Sequence, residues 1–155
     1  MRRNQRSAFT LVEIMVVVVI IGLLAALAIP ALNRVKHRSQ ISRFANDLRV
    51  FSQGLETMML EIGALPGDPG SGSLAGGHAQ VGEYIKASTS LGGVWDIDSG
   101  DFGVRCVVGV DFGSSPSATE LASLIDVDAL IEDSNLETRA FRGFESNRRG
   151  YLVLE

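Results

Sequence analysis

The sequence predicts an α+β fold in which one long N-terminal helix packs its second half against a small antiparallel β-sheet, with a further short helix. Three observations carry this reading. An uncharged apolar run fills Ile14–Leu32; apolar residues then recur at steps of three and four as far as Ile62; and beyond a Gly- and Pro-rich interval the pattern changes to short β-branched and aromatic stretches.

The apolar run comes first. Its 19 residues hold no charge and no side-chain amide, close to the ~20 that a helix needs to cross a bilayer. One membrane span is therefore expected. Glu13 stands almost at its head, and a carboxylate inside a bilayer costs roughly 2.5 to 3.5 kcal/mol on insertion scales. Such a residue calls for a partner or a task. Taken alone, it also fits the interfacial end of an ordinary anchor, with its carboxylate reaching to the headgroups. A secretory signal peptide would share the basic start of Arg2, Arg3 and Arg6, with Ala26 and Ala28 near a cleavage site. An h-region of about 7 to 15 residues is shorter than this run, which argues that the segment stays attached.

The second half of the helix is a soluble one. Ile41, Phe44, Ala45, Leu48, Phe51, Leu55, Met58, Met59 and Ile62 form one apolar stripe, opposed by Arg43, Asp47, Arg49, Gln53 and Glu56. The stop is expected near Gly63, with Pro66 beyond it. Joined to the membrane run, the helix extends from about Phe9 to Ile62, on the order of 80 Å. Pro30 cannot donate to the carbonyl of Ala26, so a bend or loosening is expected there.

"PGDPGSGSLAGGHAQ" reads as an irregular loop, and "GEYIKA" as a turn of helix. "GVWDID" and "FGVRCVVGVDF", separated by "SGD", fit two antiparallel strands and a tight turn. Ser115 or Ser117 with Glu120 marks a helix start, with Leu121, Leu124, Ile125 and Leu130 on its apolar side. "GYLVLE" fits a last strand of the same sheet.

Composition narrows the function. The chain has 155 residues, 46% hydrophobic and 21% charged, which suits one folded domain. Its formal charge of −4 argues against nucleic acid as a partner. Positive-inside counting does not orient the span, because Arg34, Lys36, Arg38, Arg43 and Arg49 follow it as the arginines precede it. A solvated helix face is the simpler reading of that basic group, with anionic headgroups or neighbouring subunits as the alternative.

A lone cysteine, Cys106, excludes an intrachain disulfide. It reads as a small core residue, and Trp95 first as core or sheet packing and second as a contact to another subunit. His37 and His78 lie in different elements, and no spacing of acid, base, nucleophile or metal ligands suggests an enzyme. No cofactor is expected. Asp96, Asp98 and Asp101 could offer oxygen ligands to calcium, but the spacing is not that of an EF-hand and suits a polar hairpin turn better.

Read together, "SAFTLVEIMVVVVIIGLLAALAIP" resembles the N-terminus of type IV pilins and of the pseudopilins of type II secretion systems. Phe9, Thr10, Leu11 and Glu13 carry the likeness, with the basic leader ending in a small residue, the apolar run and Pro30. It covers roughly the first 35 residues; beyond them it is one of architecture, although "GGVWDID" and "YLVLE" are also similar to pseudopilin elements.

The resemblance implies a pilin-like fold in three parts: a cytoplasmic leader over 1–8, the transmembrane and polymerisation half of the helix over 9–32, and a head over 33–155. It implies that a membrane aspartic prepilin peptidase cuts between Ala8 and Phe9 and methylates the new amino terminus of Phe9. The span would then sit in the inner membrane with its N-terminus cytoplasmic and its head periplasmic, before assembly into a periplasmic or surface filament. Glu13 would meet the Phe9 amine of a neighbouring subunit. Other pilin or pseudopilin subunits, membrane lipid, a platform protein and an assembly ATPase are the implied partners, with a secretin in a secretion system. Two departures stand out: Ala8 replaces the family's usual Gly, and the C-terminal cysteine pair of many major pilins is missing. The latter shifts weight to pseudopilins and minor subunits. The alternative is a single-pass, membrane-anchored binding domain that never polymerises.

Overall fold

The computed structural model describes residues 9–63, 88–99, 106–132, 134–137, 140–144 and 149–154. The chain divides into two compact units, Met1–Arg38 and Ser39–Glu155. Helix α1 (Leu11–Ile62) is continuous in both and carries Pro30 inside it.

In the first unit the helix is apolar and unburied. The large side chains from Phe9 to Val35 are all at least half exposed. Among the described residues this is one helix long and apolar enough to cross a membrane. A helix that forms the core of a soluble protein would bury that surface instead.

The second unit is built on the α1 stripe. Ile41, Phe44, Ala45, Leu48, Phe51, Leu55 and Met58 are buried, as their spacing predicts, whereas Ile62 is exposed in the last turn. Gly63 ends the helix: its N–H donates to the carbonyl of Met59 at 2.8 Å with φ of 76°, the left-handed closure that glycine adopts without a Cβ penalty.

Facing the stripe is a four-stranded antiparallel sheet of β1 (Val94–Ser99), β2 (Cys106–Asp111), β3 (Phe141–Phe144) and β4 (Arg149–Leu154), in the order β1-β2-β4-β3. Trp95 pairs with Val110 and Ile97 with Val108, so alternation places these four on one face, together with Cys106. All five belong to the core cluster with the α1 stripe, and Cys106 and Trp95 are core residues as predicted. The Trp95 indole stacks on Phe44 at 5.1 Å and meets the edge of Phe51 at 5.4 Å. The opposite face of β1 and β2 is covered too, since Asp96, Val107 and Asp111 are buried. That explains why β2 reads as a continuous apolar run rather than an alternating one.

The entry to β1 depends on two glycines. Gly92 and Gly93 have φ of 91° and 75°, and a Cβ on Gly93 would lie 2.6 Å from the Asp111 carbonyl oxygen. The Thr89 N–H donates to the Gly93 carbonyl, and the Ser90 hydroxyl fastens the turn to α1 by donating to the Gln40 carbonyl at 2.8 Å.

Helix α2 (Ala118–Ile131) starts on Ser117 with both bonds of a capping box: the Glu120 N–H donates to the Ser117 hydroxyl, and the Ser117 N–H to the Glu120 carboxylate at 2.7 Å. These bonds to Ser117 hold the Glu120 carboxyl below the usual carboxylate range. The apolar face differs from the expected one. Leu124 and Val127 are buried and Leu121 and Ile131 pack beside them, whereas Ile125 and Leu130 are exposed. At 100° per residue, Ile125 and Leu130 fall outside the arc set by 124, 127 and 131.

Strand β3 was not expected. The Glu132 carboxylate, just past α2, accepts from the N–H groups of Ala140 and Phe141 at 3.2 Å, and the Gly143 N–H donates to the Leu136 carbonyl. These bonds bring Phe141 into the core beside β4. Of the predicted turn "SGD", Ser99 is the last residue of β1, whereas Gly100, Asp101, the "GEYIKA" turn and the irregular loop lie outside the described residues.

Candidate assembly site at the start of α1

Thr10 precedes the first helical residue, and Glu13 is the third residue in. The Glu13 N–H donates to the Thr10 hydroxyl oxygen at 3.2 Å, while the Thr10 N–H and hydroxyl both donate to Glu13 Oε2 at 2.8 Å. This is a second capping box, T-x-x-E, which satisfies N–H groups that a helix start would otherwise leave open. An acid in the first turn also suits the positive end of the helix dipole. The spacing Thr10-Leu11-Val12-Glu13 carries this signal in the sequence, yet reading those residues only as a family signature passes over the capping role of Thr10.

Around the cap the surface is apolar. Phe9 is 82% exposed, and Phe9, Leu11, Ile14, Met15 and Val18 line a shallow groove along the helix. Phe9 and Ile14 occupy the two positions that pack together in a hydrophobic staple. An oriented carboxylate thus sits in an exposed apolar surface. Such an arrangement can receive one cation while the surrounding side chains exclude water from the contact.

Of the other sites read from the sequence, Pro30 lies within α1, and Ala8 lies outside the described residues. Asp96 and Asp98 are both in β1, on the face opposite Trp95 and Ile97, while Asp101 is outside the described residues. Among the described residues no group of three or more His, Cys, Asp or Glu could hold a metal ion. His37 is half-buried on α1, and His78 lies outside the described residues. Cys106 is fully buried; burial, and secondarily the Asp98 carboxylate, push its thiol up to about 11.

Residues 3–29 match the family described as the prokaryotic N-terminal methylation motif. The type IV major fimbrial protein FimA of Dichelobacter nodosus is 32% identical over 139 residues, covering 84% of this chain and 82% of its own length. The type II secretion system core protein G of Pseudomonas aeruginosa is 39% identical over 66 residues, 43% of this chain and 46% of that protein. No solved structure matches. With the motif at the capped, unburied end of α1 and the fimbrial likeness extending through the head, the chain belongs to the type IV pilin and pseudopilin family.

Proposed function

We propose that this chain is a structural subunit of a filament, of the type IV pilus or type II secretion class, rather than an enzyme. The observation that carries the proposal is the Glu13 carboxylate, oriented by Thr10 within an exposed apolar helix start. Prepilin peptidase cuts between Ala8 and Phe9 and methylates the Phe9 amine. The amine of one subunit then meets Glu13 of the next. In a low-dielectric setting an ion pair of this kind adds little net stability, but losing either partner is expensive, so it selects one stagger between helices.

Before assembly the subunit spans the inner membrane through residues 9–32, with its N-terminus cytoplasmic and its head periplasmic. Extraction loses little if the valine, isoleucine and leucine surfaces rebury against neighbouring helices. A platform protein and an assembly ATPase supply the work, since the spacing of residues offers no site for energy transduction. Calcium has no assigned role in this reading.

Co-expression with prepilin peptidase tests it. The mature chain is expected to begin at Phe9, shorter by the eight leader residues, and to form sedimentable filaments. A chain that keeps Met1 and stays monomeric in the membrane would instead be a non-polymerising anchor for a binding domain.

A further inference from the structure

From Leu11 to Leu32 the helix rises about 31 Å, which matches a hydrocarbon core of roughly 30 Å. With the start of α1 at one interface, the residues after Leu32 fall at the other. There the chain places Arg34, Lys36 and Arg38, all exposed, and no acidic residue occurs between Glu13 and Asp47. Asp47 itself lies 3.7 Å from Arg43, one turn further on. Arg34 to Arg38 spans about 6 Å of helix axis, comparable with the headgroup layer of one leaflet.

The arrangement around the axis decides what these cations meet. At 100° per residue, Arg38 lies about 40° from Arg34 and Lys36 about 200° from it, so the charges stand on opposite sides of the helix. A protein partner docking on one face would leave Lys36 or the arginine pair outside the contact. A headgroup layer surrounds the helix and meets all three. Long basic side chains at a span end also extend readily to phosphate depth.

We propose that Arg34, Lys36 and Arg38 form a collar that binds anionic phospholipid headgroups and holds the unassembled subunit at a fixed depth. The proposal rests on the membrane-spanning reading given above. Each cation near an anionic membrane surface changes association by roughly fivefold. The collar must surrender these contacts when the subunit leaves the bilayer, so the anionic lipid content sets how readily it is released. The competing occupant is the acidic head of a second copy, because residues 50–155 carry sixteen Asp and Glu against six Lys and Arg; the two-sided placement disfavours it.

The test uses the full chain in phosphatidylcholine vesicles with a trace of spin-labelled phosphatidylglycerol or spin-labelled phosphatidylcholine. The motionally restricted fraction of each label gives their relative association with the span. A preference of a few-fold for phosphatidylglycerol is expected, weakened by 1 M salt through screening. The combined variant Arg34→Gln, Lys36→Gln, Arg38→Gln should lose most of it, whereas Arg2→Gln, Arg3→Gln, Arg6→Gln, which strips the other interface, should keep a clear preference. An unchanged preference in the collar variant overturns the proposal. If that variant instead reduces cross-linked dimers with lipid preference intact, the collar serves a second copy and the proposal falls equally. The readout requires no filament, so it is independent of any pairing by Glu13. Failure of the chain to integrate would overturn the spanning reading as well, whereas integration without headgroup preference overturns the collar alone.

Discussion

The Glu13 carboxylate accepts hydrogen bonds from both the backbone N–H and the hydroxyl of Thr10, each at 2.8 Å and each on Oε2. An acid that is costly within an apolar segment is thus partly satisfied by its own chain. Capping needs an acceptor oxygen, whereas pairing with an amine needs a charge. The two roles can therefore be separated.

Glu13→Gln keeps an oxygen for Thr10 and removes the charge. Amide exchange at Leu11–Ile14 should stay near that of the parent chain, and processing at Phe9 should be unaffected. Filament yield should fall more than about tenfold, the scale of a lost charge-assisted bond. Filaments assembled as in the parent would remove the pairing role.

The stacking of Trp95 on Phe44 gives a stability prediction with a built-in reporter, because the chain has one tryptophan. Phe44→Leu retains an apolar side chain but loses the ring contact, worth about 0.5 to 1.5 kcal/mol beyond area burial. Phe44→Ala also opens a cavity and should cost about 3 to 5 kcal/mol. Urea unfolding of the detergent-solubilised chain, followed by Trp95 emission, should give midpoints in the order parent, Phe44→Leu, Phe44→Ala. Coincident midpoints would mean that α1 does not support β1 through this contact.

These elements differ in how far the letters alone disclose them. The stripe from Ile41 to Met58 is legible because a helical period is local and repeats over several turns. The Ser117-Glu120 cap is legible for the same reason, its two partners being three residues apart. Strand β3 is not, since Phe141–Phe144 is four residues with a glycine inside and is placed by the Glu132 carboxylate from eight and nine residues away. Ile125 and Leu130 show the opposite failure: apolar letters at nearly helical spacing whose faces only the packing of α2 decides. At the candidate assembly site, the motif discloses Phe9 and Glu13, and the T-x-x-E spacing of Thr10 and Glu13 is as legible as that of Ser117 and Glu120 once it is read as a cap rather than as a family signature.

Gly92 and Gly93 offer a controlled pair. Both have left-handed φ, so alanine at either is strained by about 1 to 2 kcal/mol. At Gly92 an added Cβ meets open space, whereas at Gly93 it meets the Asp111 carbonyl oxygen at 2.6 Å and Val110 Cγ2 at 2.9 Å. Gly93→Ala must therefore displace β2 or the turn, and should be more destabilising than Gly92→Ala by a further 1 kcal/mol or more, on the order of other overpacked sites. Thermal unfolding of the two variants side by side checks this. Equal melting temperatures would show that the contact with β2 yields at little cost.

Burial first, and the Asp98 carboxylate second, raise the Cys106 thiol from 9.0 to about 11. Below pH 9 the thiol is protonated whether the chain is folded or not, so it adds no pH dependence there. Between pH 9 and 11 the unfolded chain releases the proton while the folded chain keeps it, and stability falls by up to about 1.4 kcal/mol per pH unit across that window. Cys106→Ala should be less stable than the parent at pH 7 through lost packing, yet lose less stability on going from pH 9 to pH 11. The difference between the two urea midpoints, measured at each pH, isolates the thiol from lysine and tyrosine titration common to both. A constant difference across pH 9 to 11 would mean that Cys106 ionises alike in both states, against its burial under the α1 stripe.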